Sequence, residues 1–267
     1  MNFKRNIFLP LILCFSLDTS FAQTPDFNKT LEAAAQGDVN AQYNLGLMYA
    51  QGEGVAQSYS KAFEWYSKAA NQGQVRAQYN LGLMYAKGDG IIARDDTKAA
   101  EWFTKAANQG HASAQYGLGV IYIKGEGVAQ DYMKAFEWFT KAANQGHALA
   151  KYNLGLMYDI GQGVEKNKRK AFEWVKEAAV QGVPIAQNNL AVMYAQGEGT
   201  EKNTAMANEW MLKAANNGYA MAQFNIGQSY LKGSNGLPKN RVQALNWLRK
   251  AANNGHAQAK LMLAGLQ

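Results

Sequence analysis

Residues 41–51 read AQYNLGLMYAQ, and in this run Ala41, Leu45, Met48 and Tyr49 return to one side at intervals of three or four. That is the spacing of an amphipathic helix. Gly46 sits inside it and predicts the close approach of a neighbouring backbone. Gly52-Glu53-Gly54 then breaks the pattern, because glycine supplies the positive φ values that a tight turn needs. A second apolar face follows, made by Ala62, Phe63, Trp65, Tyr66, Ala69 and Ala70, with Ser58 placed as its N-cap and Gly73 as its C-terminal stop. Residues 41–73 therefore read as a helix A, a glycine loop and a helix B. Alternation of apolar and polar residues at the strand period is absent throughout.

The same unit recurs. Six tryptophans, Trp65, Trp102, Trp138, Trp174, Trp210 and Trp247, are 36 or 37 residues apart and are all the tryptophans in the chain. Leucine or isoleucine at 45, 81, 118, 154, 190 and 226 is followed by glycine in every copy but one, which has Ala191. Such a hairpin has too wide an apolar face to bury by itself, so it must stack on its neighbours as a one-dimensional array. Phe27 lies one period before Phe63, so a B-type helix precedes the first full unit, and an A-type helix over 257–267 follows the last. The predicted architecture is all-α: one helix, six hairpins and one helix, fourteen in total. The divisions are a signal segment 1–22, an N-terminal capping helix within 23–40, six repeats over 41–255 and a C-terminal capping helix over 256–267.

Residues 1–22 differ from the rest. Lys4 and Arg5 precede an apolar run from Ile7 to Leu17, and Ser20-Phe21-Ala22 offers small residues beside a cleavage point, the pattern of a secretory signal. The run is too short for a permanent membrane span, and no later stretch is long enough. Cys14, the one cysteine among 267 residues, would leave with the signal, so packing and not disulfide bonding has to stabilise the mature chain. Removing the segment lowers the formal charge from +7 to +6. The remaining lysines are scattered, which argues against nucleic-acid binding. Lys166, Lys168, Arg169 and Lys170 are the local exception, a candidate patch for an acidic ligand.

The strings A-Q-Y-N-L-G-x-x-Y, G-E-G-V, K-A-F-E-W and K-A-A-N-Q-G closely resemble the Sel-1-like repeat, a relative of the tetratricopeptide repeat, and the resemblance runs from residue 27 to 267. It implies a right-handed α/α superhelical solenoid that scaffolds protein–protein contacts, often in bacterial envelope, secretion or host-interaction roles. Some secreted relatives carry a disulfide in each repeat and bind β-lactams. This chain has no such cysteines.

Candidate chemistry is sparse. His111, His147 and His256 occupy one repeat position, and equivalent positions on stacked repeats are about 10 Å apart, too far to share one zinc. No metal or other cofactor is expected. Ser58-Tyr59-Ser60-Lys61 and Ser229-Tyr230-Leu231-Lys232 match the S-x-x-K of penicillin-recognising enzymes without the companion motifs S-D-N and K-T-G. Glu53, Asp89, Glu126 and Glu198 stand between loop glycines, where a carboxylate would repel a phosphate, so these loops read as turns. On helix B, Glu64/Lys68, Glu101/Lys105, Glu137/Lys141 and Glu209/Lys213 are spaced as i,i+4 ion pairs on a solvated convex face.

One column stands apart. Asn44, Asn80, Gly117, Asn153, Asn189 and Asn225 precede the Leu-Gly pair, on the flank of the helix A stripe, although helix interiors disfavour asparagine. The kinship with tetratricopeptide proteins implies that these amides line a concave groove and clamp an extended peptide backbone. The competing reading is that they bond neighbouring helices. The expected function is a non-catalytic scaffold in the periplasm or secreted space, free of a membrane anchor after cleavage, that binds a protein or peptide. Alternatives are a β-lactam-binding or weakly hydrolysing envelope protein, and attachment to peptidoglycan or another acidic glycan. Processing is directly testable: intact-mass measurement of exported protein should place its N-terminus at Gln23, and recovery of the Met1 form from cytosol alone would refute export.

Overall fold

The computed structural model describes residues 26–88 and 92–266, so the signal-like segment and Asp89 lie outside the described residues. Among those described there are fourteen helices and no strand. They are α1 (Phe27–Ala35), α2 (Val39–Gln51), α3 (Tyr59–Asn71), α4 (Val75–Lys87), α5 (Asp96–Asn108), α6 (Ala112–Lys124), α7 (Tyr132–Asn144), α8 (Ala148–Ile160), α9 (Lys168–Val180), α10 (Pro184–Gln196), α11 (Thr204–Asn216), α12 (Ala220–Lys232), α13 (Arg241–Asn253) and α14 (Ala257–Leu266). Tandem A/B hairpins run from α2/α3 to α12/α13, between the single helices α1 and α14. The first hairpin starts at Val39, slightly ahead of the expected 41, because Asp38 caps α2 by accepting the Ala41 N–H at 2.7 Å. No described helix is long and apolar enough to cross a membrane.

The described residues fall into two compact units, 26–147 and 148–266. Local chemistry is the same in both. Every B helix of the six hairpins begins on Ser58, Asp95, Asp131, Asn167, Asn203 or Asn240, whose side chain accepts the N–H three residues on, at 2.9–3.4 Å. The cap residue's own N–H returns to the A helix, as when Ser58 donates to the Tyr49 carbonyl at 2.8 Å and Asn203 to that of Tyr194 at 2.8 Å. The loop between is pinned to the preceding repeat. Gly127 has φ +72° and lies against the backbone of Asp96, leaving no space for a Cβ.

The first unit packs Tyr43, Leu45, Leu47, Tyr66 and Leu81 in one core cluster and Tyr79, Leu83, Phe103 and Leu118 in the next. The second packs Tyr152, Val175, Leu190, Met211 and Trp247. Helix A is buried on nearly every side; nine of the thirteen residues of α2 are inaccessible. Its glycine faces an aromatic ring of the following B helix, not a neighbouring backbone as expected from sequence. A Cβ on Gly46 would lie 2.6 Å from the Tyr66 ring, and one on Gly82 2.9 Å from that of Phe103. Backbones close in only where the ring is replaced: at Gly155, opposite Val175, a Cβ would come 3.1 Å from the Ala171 carbonyl. The repeat that carries Ala191 has the flexible Met211 at the ring position.

Gly119, which faces Phe139 most tightly, tests this complementarity. Gly119→Ala gains about 1 kcal/mol in helix propensity but overpacks the ring contact, so a net loss of roughly 1–2 kcal/mol is expected in urea unfolding. Adding Phe139→Met, which reproduces the Ala191/Met211 pair, should recover most of it. A single variant as stable as the parent would show that the ring does not demand glycine.

Candidate functional site

The asparagine column lies deeper than a helical wheel suggests. Asn80, Asn153 and Asn189 are 0%, 1% and 3% exposed, and only Asn44 and Asn225 are partly accessible. The reason is that helix A is enclosed by its own B helix and by adjacent repeats, so its flank is interior. Asn189 Nδ2 donates to the Tyr152 hydroxyl at 2.8 Å, and Asn188 Nδ2 donates to Asn189 Oδ1 at 3.4 Å, a link between successive A helices. Neither amide atom of Asn80 has a hydrogen-bond partner, nor does Nδ2 of Asn153. Gly117 lies flat over the Phe103 ring, 3.8 Å from where its Cβ would be.

A second polar column, two residues earlier, escaped the sequence reading. Gln42, Gln78, Gln115, Gln187 and Gln223 are each buried, and each donates Nε2 to a last-turn carbonyl of the preceding B helix, namely Ala34, Ala70, Ala107, Ala179 and Ala215, at 2.9–3.3 Å. Their Oε1 atoms accept from the residue that ends the following B helix: Gln72, Gln109, Gln145, Asn217 and Asn254, at 2.7–2.9 Å. Each rung satisfies a helix-terminal carbonyl that has no partner within its own helix. The signal was a recurrent glutamine inside a helix where an apolar residue would otherwise be expected. In the fourth repeat the position is Lys151, whose Nζ pairs with Glu177 Oε2 at 2.7 Å.

The charged candidates are largely committed. Lys168 bridges Asp159 at 2.7 Å and Glu198 at 3.2 Å, Arg169 pairs with Glu173 at 3.4 Å, and Lys170 lies 5.3 Å from the Tyr158 ring centre. Lys166 is exposed in the loop before α9. Of the four expected i,i+4 pairs, Glu209–Lys213 closes, at 2.7 Å. No ion pair joins the other three. Lys68, Lys105 and Lys141 lie over Trp65, Trp102 and Trp138 at 3.8–4.0 Å, and Lys213, which does pair with its carboxylate, also lies over Trp210 at 4.2 Å.

The remaining motifs have structural partners. Ser58 Oγ accepts from the Lys61 N–H while Lys61 Nζ lies 5.1 Å from the Tyr49 ring centre. Ser229 donates to the Asn225 carbonyl at 2.9 Å and accepts from Asn235 Nδ2 at 2.8 Å. Two of the loop carboxylates face cations: Glu126 meets Arg94 at 3.5 Å and Lys124 at 3.3 Å, and Glu198 meets Lys168 at 3.2 Å. The guanidinium of Arg94 also pairs with Asp96 at 2.9 Å, the main cause of its raised pKa. His111 and His256 cap α6 and α14 through Nδ1, and stack on Tyr79 and Phe224. His147 stacks on Tyr116 with ring centres 4.6 Å apart. Among the described residues no three His, Cys, Asp or Glu side chains gather as metal ligands.

The Sel1 repeat profile matches six consecutive segments, 39–74, 75–111, 112–147, 148–183, 184–219 and 220–256. The fold is similar to that of a Sel1 repeat protein from Oxalobacter formigenes, at 37% identity and a TM-score of 0.79, over 90% of this chain and 69% of that one. It is also similar to c5321, a protective antigen of uropathogenic Escherichia coli with an SLR fold, at 36% identity and 0.67, over 90% of this chain and 59% of that one. The immunity protein Pa5087 from Pseudomonas aeruginosa shares the fold at 21% identity and 0.52, over 82% of this chain and 83% of that one. No protein of curated function matches.

Burial holds His147 down to about 4, with a smaller contribution from His111, and burial also lowers His256. A histidine kept neutral in the fold contributes stability that is complete above its unfolded value near 6.5 and is lost as pH falls through the folded value. Urea unfolding should therefore show stability declining between about pH 6.5 and 4, by on the order of 2–3 kcal/mol for His147. His147→Gln should flatten that decline; an unchanged pH profile would refute the assignment.

Proposed function

Because the chain belongs to the Sel1 repeat family, we propose that it is a non-catalytic scaffold that takes a protein or peptide partner along its repeats in the periplasm or secreted space. Sel1 repeat proteins are in general protein-interaction scaffolds and are typically non-catalytic. The observation that carries the reading for this chain is the run of six consecutive Sel1 repeats over residues 39–256, which sets equivalent surface positions at regular intervals. Equivalent positions on stacked repeats about 10 Å apart match about three residues of extended chain. An array of this kind suits an elongated partner.

Export rests on the signal-like residues 1–22. Within the asparagine column, Asn44 and Asn225 are the rungs a partner could reach; Asn80, Asn153 and Asn189 would act only if adjacent helices parted. The β-lactam alternative finds little support, since Ser58 is a helix cap whose sequence-adjacent lysine lies over a tyrosine ring. The acidic-glycan alternative is weakened by the two carboxylates that hold Lys168.

Cross-linking of purified mature protein in envelope extract, followed by affinity measurement with the recovered partner, tests the reading. Asn44→Ala and Asn225→Ala should each weaken binding about fivefold or more, ~1 kcal/mol, with little change in Tm, whereas Asn189→Ala should lower Tm because it removes the bond to Tyr152. Turnover of a chromogenic β-lactam that Ser58→Ala abolishes without loss of helicity would overturn the non-enzyme assignment.

A further inference from the structure

Three columns are uniform in five repeats and change together in the fourth. Glutamine at 42, 78, 115, 187 and 223 becomes Lys151; lysine at 68, 105, 141, 213 and 250 becomes Glu177; asparagine at 71, 108, 144, 216 and 253 becomes Val180. These three side chains line one open cleft of about 470 Å³ on the α8/α9 hairpin, completed by Glu173, Lys176 and Gln181.

The first two changes compensate each other. A lysine can donate but not accept, so the amide rung is lost and Lys151 pairs instead with Glu177, the two side chains being 13% and 53% exposed. Glu177 takes away the cation that covers the indole elsewhere, and Trp174 is the one described tryptophan without a lysine over its ring. Charge exchange does not account for Val180. It is 66% exposed, at a position where the other five repeats present an exposed asparagine to water. Nor does it account for Lys176, which has no hydrogen-bond or ion-pair partner among the described residues, while Glu173 is held by Arg169 and Glu177 by Lys151. The cleft thus sets an exposed apolar side chain beside an uncommitted cation and a second, largely sheltered one.

We propose that this cleft is the docking site of the partner, and that it takes an extended protein segment with an apolar residue next to an acidic one. The apolar side chain packs on Val180, and the carboxylate meets Lys176. The assignment rests on the scaffold reading above and adds the site and the chemistry of what it holds.

The test uses the full mature chain and a triple variant, Lys151→Gln/Glu177→Lys/Val180→Asn, which writes the residues of the other five repeats into the fourth. The variant should fold at least as stably as the parent, since an amide at 151 can accept from Gln181, as Gln115 does from Gln145, and a lysine at 177 can cover Trp174, as Lys141 covers Trp138. The probes are fluorescein-labelled decapeptides in an Ala/Ser background with a central Leu-Asp, Leu-Lys or Ser-Asp pair, read by fluorescence anisotropy. The parent should bind the Leu-Asp peptide best, and the triple variant should lose about tenfold or more of that affinity; Lys176→Ser alone should erase the preference for Leu-Asp over Leu-Lys. Equal binding of Leu-Asp by a well-folded triple variant overturns the cleft assignment and leaves the scaffold reading standing. Failure of the parent to bind Leu-Asp at millimolar concentration also overturns it, and the absence of any cross-linked partner as well would overturn the scaffold reading.

Discussion

A buried amide must find partners on both its donor and acceptor sides, and in this protein each buried glutamine finds them on two different helices. Gln78 donates to the end of α3 and accepts from the residue that closes α5, so one side chain on α4 joins three helices. Breaking either bond would leave an unpaired polar group in a region without water, at about 1–3 kcal/mol. The rung therefore sets how far one hairpin is displaced from the next, and the caps, loops and apolar contacts are all compatible with that displacement. The glycine facing Tyr66 or Phe103 gives helix B its distance from helix A, and the loop glycine over Asp96 ties the α6/α7 connection to the preceding hairpin.

With the ends and faces of the helices so occupied, little polar chemistry is left over. Ser58 caps a helix, the histidines cap or stack, and Glu126 and Glu198 pair with nearby cations. Even the lysines of helix B, which have carboxylates in reach by sequence, lie mostly on indole faces. Each repeat places like groups at the same position of its hairpin. Among the described residues, the exceptions to complete pairing include both amide atoms of Asn80, Nδ2 of Asn153, Oδ1 of Asn188 and the Trp210 indole N–H.

Uniformity also makes departures informative. Where six copies serve the same packing, three positions that change together around one cleft stand out. Part of the change is electrostatic, because Lys151 requires the carboxylate of Glu177. The exposed Val180 and the free Lys176 have no such internal explanation.

Fold class, repeat length, the two single helices at the ends and the capping role of Ser58 were legible in the sequence, because they depend on periodicity, glycine and short-range hydrogen bonds, which act over a few residues. The depth of Asn80, the ring opposite Gly46 and the Lys68–Trp65 contact were not. A helical wheel orders residues around one axis, yet burial depends on how many other helices surround that axis, and helix A is enclosed by several. The glutamine rungs were invisible for the same reason: their partners lie 8 positions back and about 30 ahead, and only stacking brings those backbone and amide atoms within hydrogen-bond range. Sequence alone determined that hairpins form and repeat; tertiary packing decided which polar side chains bind the stack together and which stay at the surface.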